Sequence, residues 1–421
     1  MSTVALIGLG YVGLPSAALI ARAGHEVYGV DVNEELISEL QSGFCRLDES
    51  DVKEIVHDAL ESKRLKVGLR PKEADIFIIC VPTPITIKKK PDLTMVKSAV
   101  QSISPFVKKG DMVILESTSP IGTTERVIGE ELREVGLDPL MDVDICYCPE
   151  RVFPGNTVNE ILLNDRIVGG LTEKAANRAR DFYLSFCKGN PLVTTAAAAE
   201  FSKLMENTYR DVNIALANVF SHIAEEADVD VADVIAMANK HPRVNVHTPG
   251  PGVGGHCIPV DPWFLIDGFP SRAAFLKAAR EINDGQVRHF LNRAKSAGLV
   301  DGSKVAILGA AYRGDIDDAR DSPTILLIDE LDKMGFKYAT HDPFVTRMST
   351  HLDNSANLTS DLSAALSGAS AAFIMTDHTN YQSLVSADFD EMKVKLVIDT
   401  RRILSAEVVS DNNFDVISVG L

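Results

Sequence analysis

Short apolar runs alternate with stretches of helical character along the first part of this 421-residue chain. Residues 3–8 form an apolar run that ends in glycines, residues 14–23 have helical character, and residues 26–31 form a second apolar run. That order is strand, helix, strand. Further apolar runs at 76–81, 112–116 and 144–148, separated by helical stretches, continue the alternation and predict a doubly wound parallel sheet over residues 1–190.

The pattern then changes. No Gly or Pro occurs from Thr194 to Ala227, and Phe201, Leu204, Val212, Leu216, Val219 and Ile223 recur near helical spacing. One long helix is expected, on the order of 50 Å at 1.5 Å per residue, suited to act as a spine and a dimer surface. A Pro- and Gly-rich stretch over 242–262 follows, then more helix to about residue 297. After that the beginning of the chain recurs. Lys304-Val-Ala-Ile-Leu-Gly309-Ala-Ala311-Tyr-Arg-Gly314 repeats the pattern of Val4-Ala-Leu-Ile-Gly8-Leu-Gly10-Tyr-Val-Gly13, and Gly335 to Asp342 repeats Gly24 to Asp31. The expected fold class is therefore α/β, with two Rossmann-like doubly wound domains joined by a long central helix. The segments are 1–190 as a dinucleotide-binding Rossmann domain, 191–300 as a central helical dimerisation domain with the Cys257 loop, and 301–421 as a second, divergent Rossmann-like domain.

Composition narrows the function classes. Apolar residues make up 45% and charged residues 24% of the chain, as in globular proteins with cores to bury. A net charge of −17 argues against gripping nucleic acid or an anionic membrane, both of which need a positive surface. The six cysteines are scattered with no CxxC spacing, so no metal is expected and reduced thiols in the cytoplasm fit best. Residues 2–21 carry no charge, but Gly8, Gly10, Gly13 and Pro15 break them into strand, turn and helix rather than a leader or a membrane span.

Three constellations carry chemistry. Gly8-x-Gly10-x-x-Gly13, between a strand and a helix and with Asp31 ending the next strand, suits a dinucleotide. The glycines let its pyrophosphate approach the helix N-terminus, and Asp31 is expected to meet only the ribose. The bland alternative is tight strand–helix packing. The absence of Arg or Lys close behind Asp31 favours NAD over NADP. In the second copy Ala311 replaces the middle glycine, leaving either a degenerate structural half or one retuned for another nucleotide, with Arg313, Arg320, Arg401 and Arg402 near predicted strand ends. The stretch from Gly250 to Asp261 places Cys257 in a glycine loop beside His256. A thiol there could carry an alcohol past the aldehyde, through a thiohemiacetal and a thioester. On the long helix, Lys203, Asn207 and Arg210 fall on one face. Spacing alone favours a solvated stripe, whereas beside a cysteine nucleophile the set reads as oxyanion and sugar contacts.

With these motifs, Glu116-Ser-Thr118, Cys148-Pro-Glu150-Arg151, Gly254-Gly-His-Cys257-x-Pro-x-Asp261 and Arg320-Asp-Ser, the chain resembles the UDP-glucose/GDP-mannose dehydrogenase family over nearly its whole length. The variants Cys-Pro-Glu-Arg-Val-x-Pro-Gly at 148–155 and Lys240-His-Pro-Arg243-Val-Asn resemble the branch acting on UDP-N-acetyl-D-mannosamine. The resemblance implies NAD-dependent, two-step oxidation of the C6 alcohol of a UDP-sugar. It makes Cys257 the nucleophile and has Lys203 and Asn207 stabilise oxyanions. Asp261 assists Lys203 in orienting water, and Glu150 assists thioester hydrolysis. It places NAD contacts on Gly8, Gly10, Tyr11, Val12, Gly13, Asp31, Thr83, Thr118 and Arg320. Sugar-nucleotide contacts fall on Arg151, Val152, Lys203, Asn207, Arg210, Gly254, Tyr312, Arg313 and Arg401, with His241 and Arg243 reaching in from a partner subunit, which implies a homodimer or larger. Two competitors are a two-electron β-hydroxyacid dehydrogenase, which needs neither Cys257 nor a second Rossmann-like domain, and a non-catalytic NAD sensor.

Overall fold

A computed structural model describes residues 1–47, 49–152, 155–348 and 357–421. The first sheet holds β1 (Thr3–Ile7), β2 (Glu26–Val30), β3 (Leu65–Gly68), β4 (Ile76–Ile79), β5 (Met112–Leu115), β6 (Asp144–Tyr147), β7 (Arg166–Gly170) and β8 (Pro191–Thr195), in the order β3-β2-β1-β4-β5-β6-β7-β8. Alternate residues of β1 enter different cores: Val4 and Leu6 pack with the buried helix Gly13–Arg22, Ala5 and Ile7 with the helix Thr94–Ile103. Because β4 and β5 are covered on both faces, every one of their residues is buried, and they read as unbroken apolar runs.

Two features differ from the sequence expectation. The sheet is not wholly parallel, since β7 runs antiparallel to β6 while β8 runs parallel to β7. It also continues to Thr195, five residues past 190. Neither strand gives a clean apolar signal: Arg166, Gly169 and Gly170 dilute β7, and β8 is an edge strand with much of its surface exposed.

The second sheet comprises β9 (Lys304–Leu308), β10 (Lys337–His341), β11 (Leu358–Thr359), β12 (Ala371–Ile374), β13 (Leu396–Asp399) and β14 (Asp415–Ser418). It is parallel throughout in the order β11-β10-β9-β12-β13-β14. The first six strands of the first sheet have the same order, so both sheets reverse their winding beside the strand that precedes the glycine turn. The chain divides into two compact units, Met1–Glu206 with Trp263–Gly268, and Asn207–Pro262 with Phe269–Leu421. The division falls within the long helix, Ala196–Ala227, which has 32 residues. Among the described residues no helix is long and apolar enough to cross a membrane.

The two glycine turns are built alike and finished differently. Gly8 N–H donates to Val30 O and Gly309 N–H to His341 O, both at 2.8 Å. Gly13 opens a helix, but after Gly314 the next helix waits until Pro323. Asp342, the counterpart of Asp31, is buried and accepts from Ala310 N–H at 2.7 Å, Ala311 N–H at 3.0 Å and His378 Nε2 at 3.0 Å. Burial alone would raise its pKa, but His378 and the N–H groups of Val345, Phe344 and Ala310 outweigh it and hold the carboxyl at about 2. A carboxylate depressed in the folded state stabilises the protein above its unfolded pKa and loses that contribution as pH falls through the folded value. Asp342→Asn is therefore expected to cost about 2–3 kcal/mol near neutral pH, with the gap to the parent closing by about pH 2. Urea unfolding curves across that range test this, and a gap independent of pH would exclude the charge as its origin.

Candidate active site

The three glycines of the first turn answer to different constraints. A Cβ on Gly8 would lie 2.4 Å from Cys80 O, and one on Gly13 would lie 1.9 Å from Gly8 O, so the protein's own packing requires both. At Gly10 a Cβ would meet no protein atom within 4 Å, and the backbone there is not left-handed. The open space there, at the N-terminus of the helix Gly13–Arg22, would admit a dinucleotide pyrophosphate. Val12 stands at the N-cap of that helix. Thr83 and Thr118, which follow β4 and β5, meet directly, with Thr83 Oγ1 donating to Thr118 O at 2.6 Å. The Tyr11 hydroxyl bonds Glu49, and Thr157 Oγ1 donates to it at 2.9 Å. Asp31 does more than await a ribose: its carboxylate accepts from Leu9 N–H and Asn33 N–H, each at 2.9 Å. The expectation that it meets only the ribose is corrected, because one oxygen also fixes the turn.

In the same unit, Lys203 on the long helix is buried, only 6% exposed. The solvated-stripe reading of this helix face is thereby overturned at Lys203 and at Asn207, although Arg210 is exposed. Burial pushes the Glu150 carboxyl up to about 7, with the Lys203 charge acting against that rise. Such a group can take or give a proton near neutral pH. Glu150 also accepts from Val152 N–H. Arg151 is forked onto Glu206, with Nη2 at 2.8 Å and Nε at 3.2 Å. Of the 148–155 motif, residues 153 and 154 lie outside the described residues.

The second unit assembles the cysteine loop. Asn207 Nδ2 donates to Asp261 Oδ2 at 2.6 Å, with both residues buried, and Asp261 N–H donates to Cys257 O at 2.9 Å. Gly252 and Gly255 have φ of +116° and +85°, left-handed values that favour glycine. Gly254 is pressed against Tyr312, whose Cβ would stand 2.7 Å from a Cβ there. Gly255 N–H donates to Arg320 O at 3.2 Å. The Arg320 guanidinium grips Asp318 through Nε at 2.9 Å and Nη2 at 2.6 Å. Asp318 raises its pKa most, against burial, and the Cys257 sulfur adds to the rise. Arg401 follows β13, donates Nε to Met375 O at 3.0 Å, and is lowered by burial against Asp377 and Asp399. Its Nη1 would lie 3.4 Å from a Cβ on Gly250. Arg402 instead pairs with Asp230 at 2.7 Å, so it is spent on the fold. Arg313 lies in the loop after β9, and His241 and Arg243 are exposed in the loop after the helix Val231–Ala238.

Sequence reasoning missed Asp318, although it stands two residues before Arg320. It also missed the buried Arg166, which stacks over Tyr183 at 4.7 Å and lies 4.0 Å from Glu116, and Glu116 itself as acceptor from Tyr183 and Cys80. No local spacing signals those contacts.

Models of three domains match the chain in order: the NAD binding domain of the UDP-glucose/GDP-mannose dehydrogenase family over residues 2–187, its central domain over 197–285, and its UDP binding domain over 306–406. The chain belongs to the UDP-glucose/GDP-mannose dehydrogenase family. It is an NAD-dependent nucleotide-sugar dehydrogenase. The UDP-N-acetyl-D-mannosamine dehydrogenase of Methanococcus maripaludis is 41% identical, covering 99% of this chain and 96% of that relative. The NDP-N-acetyl-D-galactosaminuronic acid dehydrogenase of Ralstonia nicotianae is 38% identical, covering 97% of each. A solved UDP-D-ManNAc dehydrogenase from Pyrococcus horikoshii superposes with a TM-score of 0.90 at 37% identity, covering 99% of both chains. The first glycine turn lies in the segment matching the NAD binding domain, and the second, with Asp342 and His378 on its backbone, in the segment matching the UDP binding domain.

Two outcomes are expected from this geometry. Asp31→Ala should weaken NAD binding about tenfold to a hundredfold, as expected when a charged hydrogen bond is lost, and should also lower Tm because Leu9 N–H loses its acceptor. Calorimetry with parallel melting curves checks both, and an unchanged affinity would remove Asp31 from the cofactor site. Lys203→Met should raise the Glu150 pKa above about 7, measurable by carboxyl-carbon NMR, since the opposing charge is gone.

Proposed function

We propose that this enzyme oxidises the C6 alcohol of UDP-N-acetyl-D-mannosamine to the uronate in two steps, with Cys257 as the covalent nucleophile. The observation that carries the reading is the Cys257 loop, held in left-handed glycine geometry and closed at Asp261 onto the buried Asn207. The names of the relatives point to an acetamido sugar. NAD bound at the Gly8–Gly13 turn supplies the hydride acceptor, one molecule for each oxidation.

Lys203 and Asn207 stabilise the alkoxide that forms as the alcohol passes its proton to water and then gives up its hydride. The Cys257 thiolate adds to the aldehyde carbon, making a C–S bond and an oxyanion at the same site. Loss of a second hydride leaves a thioester. Glu150 takes a proton from water as the water attacks that carbon, with Asp261 helping Lys203 to orient it. The C–S bond then breaks, releasing the carboxylate and returning the thiolate. Arg320 completes the cofactor contacts. Arg151, Val152, Arg210, Gly254, Tyr312, Arg313 and Arg401 hold the sugar nucleotide.

We infer a homodimer or larger assembly, in the cytoplasm. Leu216, Phe220 and Ile223 form an exposed apolar stripe on the long helix, and His241 and Arg243 of each subunit reach the substrate of the other. Residues 1–190, 191–300 and 301–421 act as the NAD, dimerisation and nucleotide-sugar segments.

The deciding experiment incubates the enzyme and NAD with UDP-N-acetyl-D-mannosamine, UDP-N-acetylglucosamine, UDP-glucose and GDP-mannose. Two NADH per uronate from the first is expected; turnover of only the last two would replace the substrate, and one NADH would replace the mechanism with that of a hydroxyacid dehydrogenase. Cys257→Ala should stop uronate formation while NAD still binds. Thioester hydrolysis should rise with pH through about 7 as Glu150 loses its proton, and Glu150→Gln should be slow and flat across that range. Arg401→Ala should raise KM about tenfold with kcat largely kept, because a remote contact binds ground and transition states alike; a pure kcat loss would place Arg401 elsewhere.

A further inference from the structure

The first backbone donor of the Cys257 loop is held from the long helix. Gly250 N–H donates to Asn218 Oδ1 at 2.8 Å. With that oxygen committed as acceptor, the Asn218 amide must present Nδ2 on its other side, and it donates to Asn283 Oδ1 at 2.9 Å. This orients Asn283 in turn, whose Nδ2 donates to Asp211 O at 2.9 Å and Asp211 Oδ1 at 2.8 Å. Arg280 closes the series as the cation on Asp211, with Asp284 on its other arm. Asp211, Asn218, Arg280 and Asn283 are each at most 1% exposed. The loop touches the same residues again at Gly252, where a Cβ would fall 2.6 Å from Asn283 O.

We propose that Asn218 and Asn283 are positioning residues for the reaction, a one-way relay of donors from Gly250 N–H through both amides to Asp211 that sets where the Cys257 loop stands. The proposal rests on the reading of Cys257 as nucleophile. Each amide has one orientation that satisfies both neighbours, so the relay cannot shift without leaving a buried group unpaired. It ends on the backbone of the loop rather than on a surface. The opposite flank of the loop is held separately, by Tyr312 against Gly254 and Gly255 and by Arg320 O on Gly255 N–H. Two anchors on two sides fix a segment that one would let swing, and a displacement of the order of 1 Å at a reacting atom is costly.

Asn218→Asp keeps the size and the acceptor for Gly250 N–H, but turns an oxygen toward Asn283 Oδ1. At about pH 8 we expect kcat to fall about tenfold with KM for NAD unchanged, and iodoacetamide alkylation of Cys257, followed by peptide mass spectrometry, to change rate several-fold. Near pH 5.5 both ratios to the parent should recover, because the protonated carboxyl donates again. Asn218→Ala should show the same losses without recovery, and serves also if the aspartate variant fails to fold. Alkylation and kcat both like the parent's, or a fall in kcat with unchanged alkylation, would overturn the relay, as would recovery absent from a folded Asn218→Asp. Alkylation reports the position of Cys257 whether or not it is the nucleophile. Full turnover by Cys257→Ala would therefore remove the nucleophile, whereas unchanged alkylation in Asn218→Ala would remove the relay.

Discussion

Lys203, Asn207, Asp211, Asn218 and Ser221 are all buried on the long helix, and a buried polar group left without a partner costs about 1–3 kcal/mol. At 100° per residue these five fall within an arc of about 80°. The helix therefore has a polar interior stripe where most helices have an apolar one. The residues of the stripe are met from several parts of the chain, the Cys257 loop among them. Asn207 takes Asp261, which ends the cysteine loop, and Asn218 takes Gly250, which begins it. Asp211 takes Arg280 and Asn283 from the helix Ala274–Ser296. The loop is thus fixed at both ends by one helix, and its interior glycines absorb the turns in between.

How much of this the chain's pattern reveals depends on the reach of the interaction. The first turn is legible because its parts lie within about thirty residues and its glycines mark a tight passage from strand to helix. The second sheet is legible because it repeats the first. The strands β7 and β8 are not, since Arg166 and the glycine pair break the apolar signal and the edge strand is half solvated. Lys203 and Asn207 are visible as a spacing but not as buried groups, because burial is decided by what packs over them. The pairings of Asn207, Asp211 and Asn218 cross 32 to 72 residues, and no periodicity reports them. Asp31 shows the same limit at shorter range: its place at the end of β2 is plain, whereas its bond to Leu9 N–H is a fact of three dimensions.

The two sheets show how one architecture yields two sites. Both use an acid after the second strand to hold the backbone of the turn. At Asp31 the carboxylate keeps a partly exposed edge. At Asp342, His378 joins the turn N–H groups on Oδ2, Phe344 N–H and Val345 N–H occupy Oδ1, and the carboxylate is buried. In both sheets the hydrogen bond to the turn is kept, and what differs is how many further partners the same carboxylate takes.

Gly10 has a consequence for how such a protein can change over generations. Substituting Gly8 or Gly13 forces a side chain into the backbone, so damage there is seen by folding itself. A methyl group at position 10 meets no protein atom within 4 Å, so packing does not register it. A turn of this geometry can accept alanine at this position and still fold. The second turn carries Ala311 at the matching place, buried and donating its N–H to Asp342. Packing thereby leaves the middle position of such a turn open to change while it holds Gly8 and Gly13 fixed.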